Sequence, residues 1–198
     1  GNMYWNTTQD TTTSSYNNWV TGTLNTYLNS DYYNTLSTDA KNMIGTTKYY
    51  LGGYKNSEIT SDVMWQYERK NDANRTGYYY GTNPVIQSDA NKKIAIMYAS
   101  DYGYGASKEC TSNLFYYNSS TNCKTTNNWL NNKLTYEWLL SQDSGNSISA
   151  FFVDRRSNVY SDSDIGGVSQ TISNRPVLSL SSNVKISGGE GTSSNPYT

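Results

Sequence analysis

The stretch NNWVTGTLNTYLNSDYYNTL, Asn17 to Leu36, sets Val20, Leu24, Tyr27 and Leu28 at helical spacing behind the capping candidates Ser14, Ser15 and Asn17. It predicts an amphipathic helix of about three turns. A shorter second helix is expected from Ser37 to Ile44, with Ser37 as N-cap, Asp39 in the first turn, Leu36, Ala40, Met43 and Ile44 on one side, and Gly45 at its end. Thr47 to Leu51 reads as a strand stopped by Gly52 and Gly53, and Thr60 to Arg69 as a helical turn presenting Val63, Met64 and Tyr67. Strand patterns dominate the rest: Lys93 to Tyr98 (KIAIMY), Glu137 to Leu140, Ser149 to Asp154, then Val159 with Tyr160, Arg175 to Leu180 (RPVLSL) and Val184 to Ile186. Pro176 lacks an N–H and belongs at an edge or a strand start. Helices first and strands later argue for an α+β domain of two N-terminal helices, a twisted antiparallel sheet and long loops, and against βαβ units.

Composition says what such a domain is for. Among 198 residues there are 20 Tyr and 5 Trp but no His. Aromatic rings bury much area at little entropic cost and carry a polar tip, whereas His is the side chain that titrates nearest neutral pH. Recognition is therefore favoured over proton chemistry. Charged residues make up 16% and the formal net charge is -1, with polarity supplied by Asn, Ser, Thr and Tyr, so the chain is expected to fold as one domain. Fifteen Lys and Arg balance 16 Asp and Glu, which gives no electrostatic footprint for nucleic acid. No apolar run approaches the roughly 20 residues of a membrane-spanning helix. Gly1 before Asn2 and Met3 reads as a tag remnant, and both ends as cut points in a longer protein whose export signal or anchor lies elsewhere.

Cys110 and Cys123 enclose TSNLFYYNSSTN, and in a composition typical of exported proteins they are expected to form a disulfide, the alternative being two free buried thiols. Such a loop closure is worth about 3 kcal/mol on the chain-entropy model. Two thiolates without His leave a tetrahedral metal site half empty.

The candidate ligand-binding residues lie in loops. Tyr78, Tyr79 and Tyr80 sit in the Gly-, Asn- and Tyr-rich segment 71–91, and alternation lets at most two of the three share a face. Asp101, Tyr102 and Tyr104 fall in SDYGYG, where Gly103 and Gly105 would let a loop present the rings. The competing reading packs those tyrosines inward and uses Asp101 to cap backbone N–H groups. Arg155 and Arg156 follow Asp154 at a hairpin tip and could grip a carboxylate, including that of sialic acid. Of the five Trp residues, Trp5, Trp19 and Trp138 are expected in the core, with Trp65 and Trp129 nearer the surface. Asp162 and Asp164 in SDSD could meet a hard cation with Asp154, but the ligand loop of a calcium hand is missing, so no metal or cofactor is expected.

WVTGTLNTYLNSDYYNTL, KYYLGGY, KIAIMYASDYGYG, the cysteine pair, NNWL, EWLLS, AFFVDRRSNVYSD and RPVLSLSSNVKISGGEGTSSNPYT follow one another in this order along nearly the whole chain. The series resembles a family of secreted or surface domains of Gram-positive gut bacteria and, more distantly, the C-type lectin-like architecture. That resemblance implies the fold and an extracellular location. The Glu-Pro-Asn, Gln-Pro-Asp and Trp-Asn-Asp triplets of calcium-dependent lectins are absent, so no calcium-bridged sugar site is carried over.

Catalysis is the rival class. A nucleophile activated by His is excluded, and although Glu68 and Glu137 could supply the two carboxyl groups of a glycosidase, no motif places them together. The sequence therefore points to a non-catalytic extracellular domain that binds a glycan through aromatic loops, with a protein-binding adhesin or a structural module of a bacterial surface protein as the alternatives.

Overall fold

EWLLSQ and AFFV are buried at every position because the sheet they form is covered on both faces. Strands β3 (Glu137–Gln142) and β4 (Ala150–Val153) pair antiparallel and alternate their side chains between two cores. Trp138, Leu140 and Phe152 enter the first core with Trp5, Trp19, Leu24 and Leu28. Leu139, Phe151 and Val153 enter the second with Met64, Tyr102, Leu114 and Tyr117. The computed structural model describes residues 1–7, 17–69, 92–123, 128–131, 135–161, 167, 169–190 and 194–195.

The five-stranded sheet runs β1–β6–β3–β4–β5, with β1 at Asn2–Tyr4, β5 at Val159–Tyr160 and β6 at Thr171–Ser173. A separate pair joins β2 (Ile94–Ile96) to β7 (Pro176–Leu178), where Pro176 opens its strand opposite Ile96. The α+β class holds, but the sheet is mixed and not antiparallel throughout: β3 lies parallel to β6, with Glu137 opposite Ser173. That contact follows from β6 being held on its other edge by β1, in register from Asn2 opposite Ser173 to Tyr4 opposite Thr171. The strands expected at 47–51 and 184–186 do not form. Around Gly52 and Gly53 the backbone instead presses against its neighbours, and a Cβ at Gly53 would collide with the Gln142 carbonyl.

The first helical stretch starts later than its pattern suggests, at α1 (Thr23–Tyr27), passes through a π-helical turn at Leu28–Tyr32, and closes with α2 (Tyr33–Thr35). Leu24 and Leu28 are buried while Val20 is exposed. The second expected helix is α3 (Thr38–Met43), and Ser37 caps it by accepting from the Ala40 N–H at 3.2 Å. Trp5 stands edge-on to Trp19 at 5.2 Å and to Trp138 at 5.7 Å, and the Trp138 indole donates to the Met3 carbonyl at 2.9 Å. Asn17 is buried beside this group. Its amide donates to the carbonyls of Asp143, Asn146 and Ser149 at 3.0, 3.1 and 2.6 Å, fastening the β3–β4 connection.

On the opposite face of the sheet lie α4 (Ser61–Arg69), α5 (Ala99–Tyr104) and a 3-10 turn at Leu114–Ser119. Residues 100–104, expected as a loop, are helical because Asp101 in the first turn accepts the Tyr98 N–H at 3.2 Å and offsets the helix start. Among the described residues, no helix is long and apolar enough to cross a membrane.

Candidate functional site

A buried carboxylate locks α4, α5 and β3 together. Glu68 is fully buried and accepts the Ser100 N–H at 3.1 Å, the Ser100 and Ser141 hydroxyls, and the Arg69 guanidinium at 2.9 Å. Desolvation dominates its chemistry, pushing its pKa up to about 7 against the lowering effect of those donors. Arg69 also reaches Asp101 at 3.0 Å and lies over the Tyr98 ring at 4.0 Å. The two helices are thereby fixed side by side, which decides what their outer turns present.

At one end of this pair is a cleft of about 450 Å³. Its walls are the start of α4 (Thr60, Ser61, Asp62) and the end of α5 (Gly103, Tyr104), and its third side is the segment from Ala106 to Thr111. Gly103 has no room for a side chain, since a Cβ there would collide with Ser61 and meet Leu114 at 2.9 Å. The Tyr104 hydroxyl donates to Asp62 Oδ1 at 2.8 Å and thereby fixes a ring that is 52% exposed. Partial desolvation, followed by the Asp62 carboxylate, pushes the pKa of this phenol up to about 12. The hydroxyl stays protonated at any physiological pH and keeps donating.

The third side is braced by the disulfide. Cys110 and Cys123 are bonded, with Cα atoms 4.8 Å apart; Cys123 is buried in the second core and Cys110 lines the cleft. Beside it, Asn128 donates to the Tyr102 carbonyl at 2.8 Å and accepts the Leu130 N–H at 2.9 Å, while the Trp129 N–H donates to the Gly105 carbonyl at 3.2 Å. This buried Asx turn pushes the Trp129 side chain outward to 81% exposure, next to the helix end that carries Tyr104. Trp65, 42% exposed, sits one turn beyond Asp62 on α4 with the Arg69 guanidinium 5.7 Å from its ring. Tyr104, Trp129 and Trp65 are thus exposed, with Tyr104 alone of the three lining the cleft, whereas Trp5, Trp19 and Trp138 are buried.

The remaining candidates divide. Tyr102 is fully buried, donates to the Ser157 carbonyl at 3.1 Å and stands 5.6 Å from Tyr117, so it holds the second core and presents nothing to a ligand. A helix explains the split between Tyr102 and Tyr104: two residues apart they point to opposite sides, as loop residues need not. Asp101 is also occupied, one oxygen by Arg69 and the other by the Tyr98 N–H, so capping is its role. Arg155 and Arg156 are exposed on the β4–β5 turn and take no part in lining the cleft. Arg155 lies over Tyr136 at 5.0 Å, and the turn itself is held by Asp154 accepting the N–H groups of Arg156 and Asn158 at 2.8 Å each. Tyr78, Tyr79, Tyr80, Asp162 and Asp164 lie outside the described residues.

Asp62 is the residue the sequence reading missed. Its only sequence signal is an acid in the first turn of a helix, which ordinarily means nothing more than a favourable dipole contact. Glu68 and Glu137 each have partners of their own: the first is tied into its network, and the second, raised by burial, is bonded to Arg175 at 2.9 Å. Among the described residues, Asp62 is the single carboxylate lining the cleft, and no group of three potential metal ligands occurs. A second hollow of about 390 Å³ between β1 and α1 is lined by Thr23, Thr26, Tyr27 and Asp31 without an exposed Trp. Comparison with protein-family models, with curated proteins and with solved structures found no match to this chain.

Proposed function

We propose that this protein is a non-catalytic, extracellular binding domain of C-type lectin-like architecture, and that it recognises glycans at the cleft between α4, α5 and the disulfide-braced segment. The observation that carries this reading is that Tyr104, an exposed ring fixed by Asp62, lines a hydroxyl-bearing cleft, while the exposed Trp129 is anchored through its backbone N–H to Gly105 at the end of the same helix. Pyranose rings offer an apolar face to an aromatic side chain and hydroxyls to groups such as Ser61, Thr60 and Ser107. A lone lining carboxylate supports binding without turnover, because glycoside hydrolysis needs two carboxyl groups roughly 5 to 10 Å apart. The single disulfide supports an oxidising compartment.

The test is a glycan array followed by titration of the best ligand. Tyr104→Ala and Trp129→Ala should each weaken binding by tenfold or more while leaving the melting temperature within about 2 °C of the parent. Arg155→Ala should change nothing. Capture of a protein partner with no binding to any glycan would replace this reading with a protein-binding adhesin, and hydrolysis of a bound glycan would refute the non-catalytic part.

A further inference from the structure

We infer that the cleft selects neutral saccharides carrying a free vicinal diol and rejects sialylated and uronate-bearing ones. This rests on the glycan-binding reading above and adds the class of sugar to it. The geometry begins with Asp62, whose Oδ1 accepts the Tyr104 hydroxyl while Oδ2, among the described residues, accepts no hydrogen bond. A carboxylate is acceptor-only and has lone pairs to spare, so its best remaining partner is a donor. Two adjacent sugar hydroxyls supply two charge-assisted bonds to one carboxylate, and the exposed Tyr104 ring lies beside that point to take the apolar face of the same sugar.

The cations that could reverse this preference are spent elsewhere. Lys108 touches the cleft but its side chain is 91% exposed and faces Glu109 at 3.7 Å. Arg69 is committed to Glu68 and Asp101, and its guanidinium lies between the Tyr98 and Trp65 rings. The positive end of α4, which would otherwise attract an anion, already has the protein's own Asp62 in its first turn. An acidic sugar would meet that carboxylate with Lys108 as the one cation lining the cleft, its charge offset by the neighbouring Glu109. Arg155 and Arg156, the residues suited to sialic acid, lie outside the cleft.

The experiment uses the intact domain on an array of neutral oligosaccharides, each printed beside its sialylated or glucuronylated counterpart. Neutral members should be bound at least about fivefold more tightly than their acidic counterparts at low salt, the factor expected of one like-charge contact near water. The gap should shrink as salt rises. Asp62→Asn should weaken neutral binding and close the gap, whereas Arg155→Ala should leave it open. Acidic members bound as tightly as neutral ones, or a gap that survives Asp62→Asn, would overturn the inference and leave glycan binding standing. Binding to no glycan at all would overturn both.

Discussion

Replacing Glu68 by Gln should remove most of the pH dependence of this protein's stability. The native carboxyl sits at about 7 against an ordinary value of 4.5, so the folded state holds the proton more tightly than the unfolded chain does. The resulting stabilisation is complete below the unfolded pKa and is lost as pH rises through the native one. Between about pH 8 and about pH 5.5 this group alone adds about 2 kcal/mol on acidification. Asp143, pushed up by burial to about 6 from 3.8, adds about 1 kcal/mol in the same direction. Burial raises Glu137 and Asp154 too, with the same sign. For a domain of this size each kcal/mol moves the melting temperature by about 2–4 °C, so the wild type should melt roughly 6–12 °C higher at the acidic end. Glu68→Gln keeps an acceptor for the Ser100 N–H and the Ser141 hydroxyl but cannot ionise, and should retain only about a third of that slope. Calorimetry at both pH values measures it. A wild type that melts lower at acid pH, or a variant with an undiminished slope, would refute the assignment of Glu68 as the buried titrating group.

Asn17→Ala leaves three buried carbonyls without their shared donor and should cost about 3 kcal/mol, seen as a melting temperature lower by roughly 6–12 °C. Asn17→Asp should do no better, because a carboxylate would face those same carbonyls. Replacing Cys110 and Cys123 together by Ala should cost about 3 kcal/mol in chemical denaturation, and a loss well below 1 kcal/mol would mean that the segment is held by Leu114 and Tyr117 alone.

The sequence showed the strands of the sheet's centre and edges unevenly. WLL, AFFV and the IAI of β2 are legible because short apolar runs bounded by polar residues have few other uses, and β7 because RPVLSL alternates apolar with polar residues behind a proline. Strands β1 and β6 are three residues long and largely polar, and only their pairing across nearly the whole chain makes them strands at all. Helix α5 was hidden by Gly103 and Gly105, which resemble loop glycines although Gly103 is demanded by close packing against Ser61 and Leu114. At the site, Tyr104 and Trp129 are visible as aromatic residues near polar turns. Asp62, the partner of Tyr104, is not, because nothing local in Ser61-Asp62 announces that α4 will lie against α5; a tertiary network through Glu68 decides it.

The clasp between β1 and β6 sets an order of events. A ribosome delivers Asn2 well before its partner Ser173, with 170 residues between them, so the outer strand must wait. Trp5 waits with it, and until that moment the indoles of Trp19 and Trp138 lack the ring that seals them. Non-local closure of this kind is slow, and an arrested or truncated chain shows sticky indoles to whatever is nearby. Quality control during synthesis should therefore read the absence of residues 171–173 as sharply as it would read a damaged core.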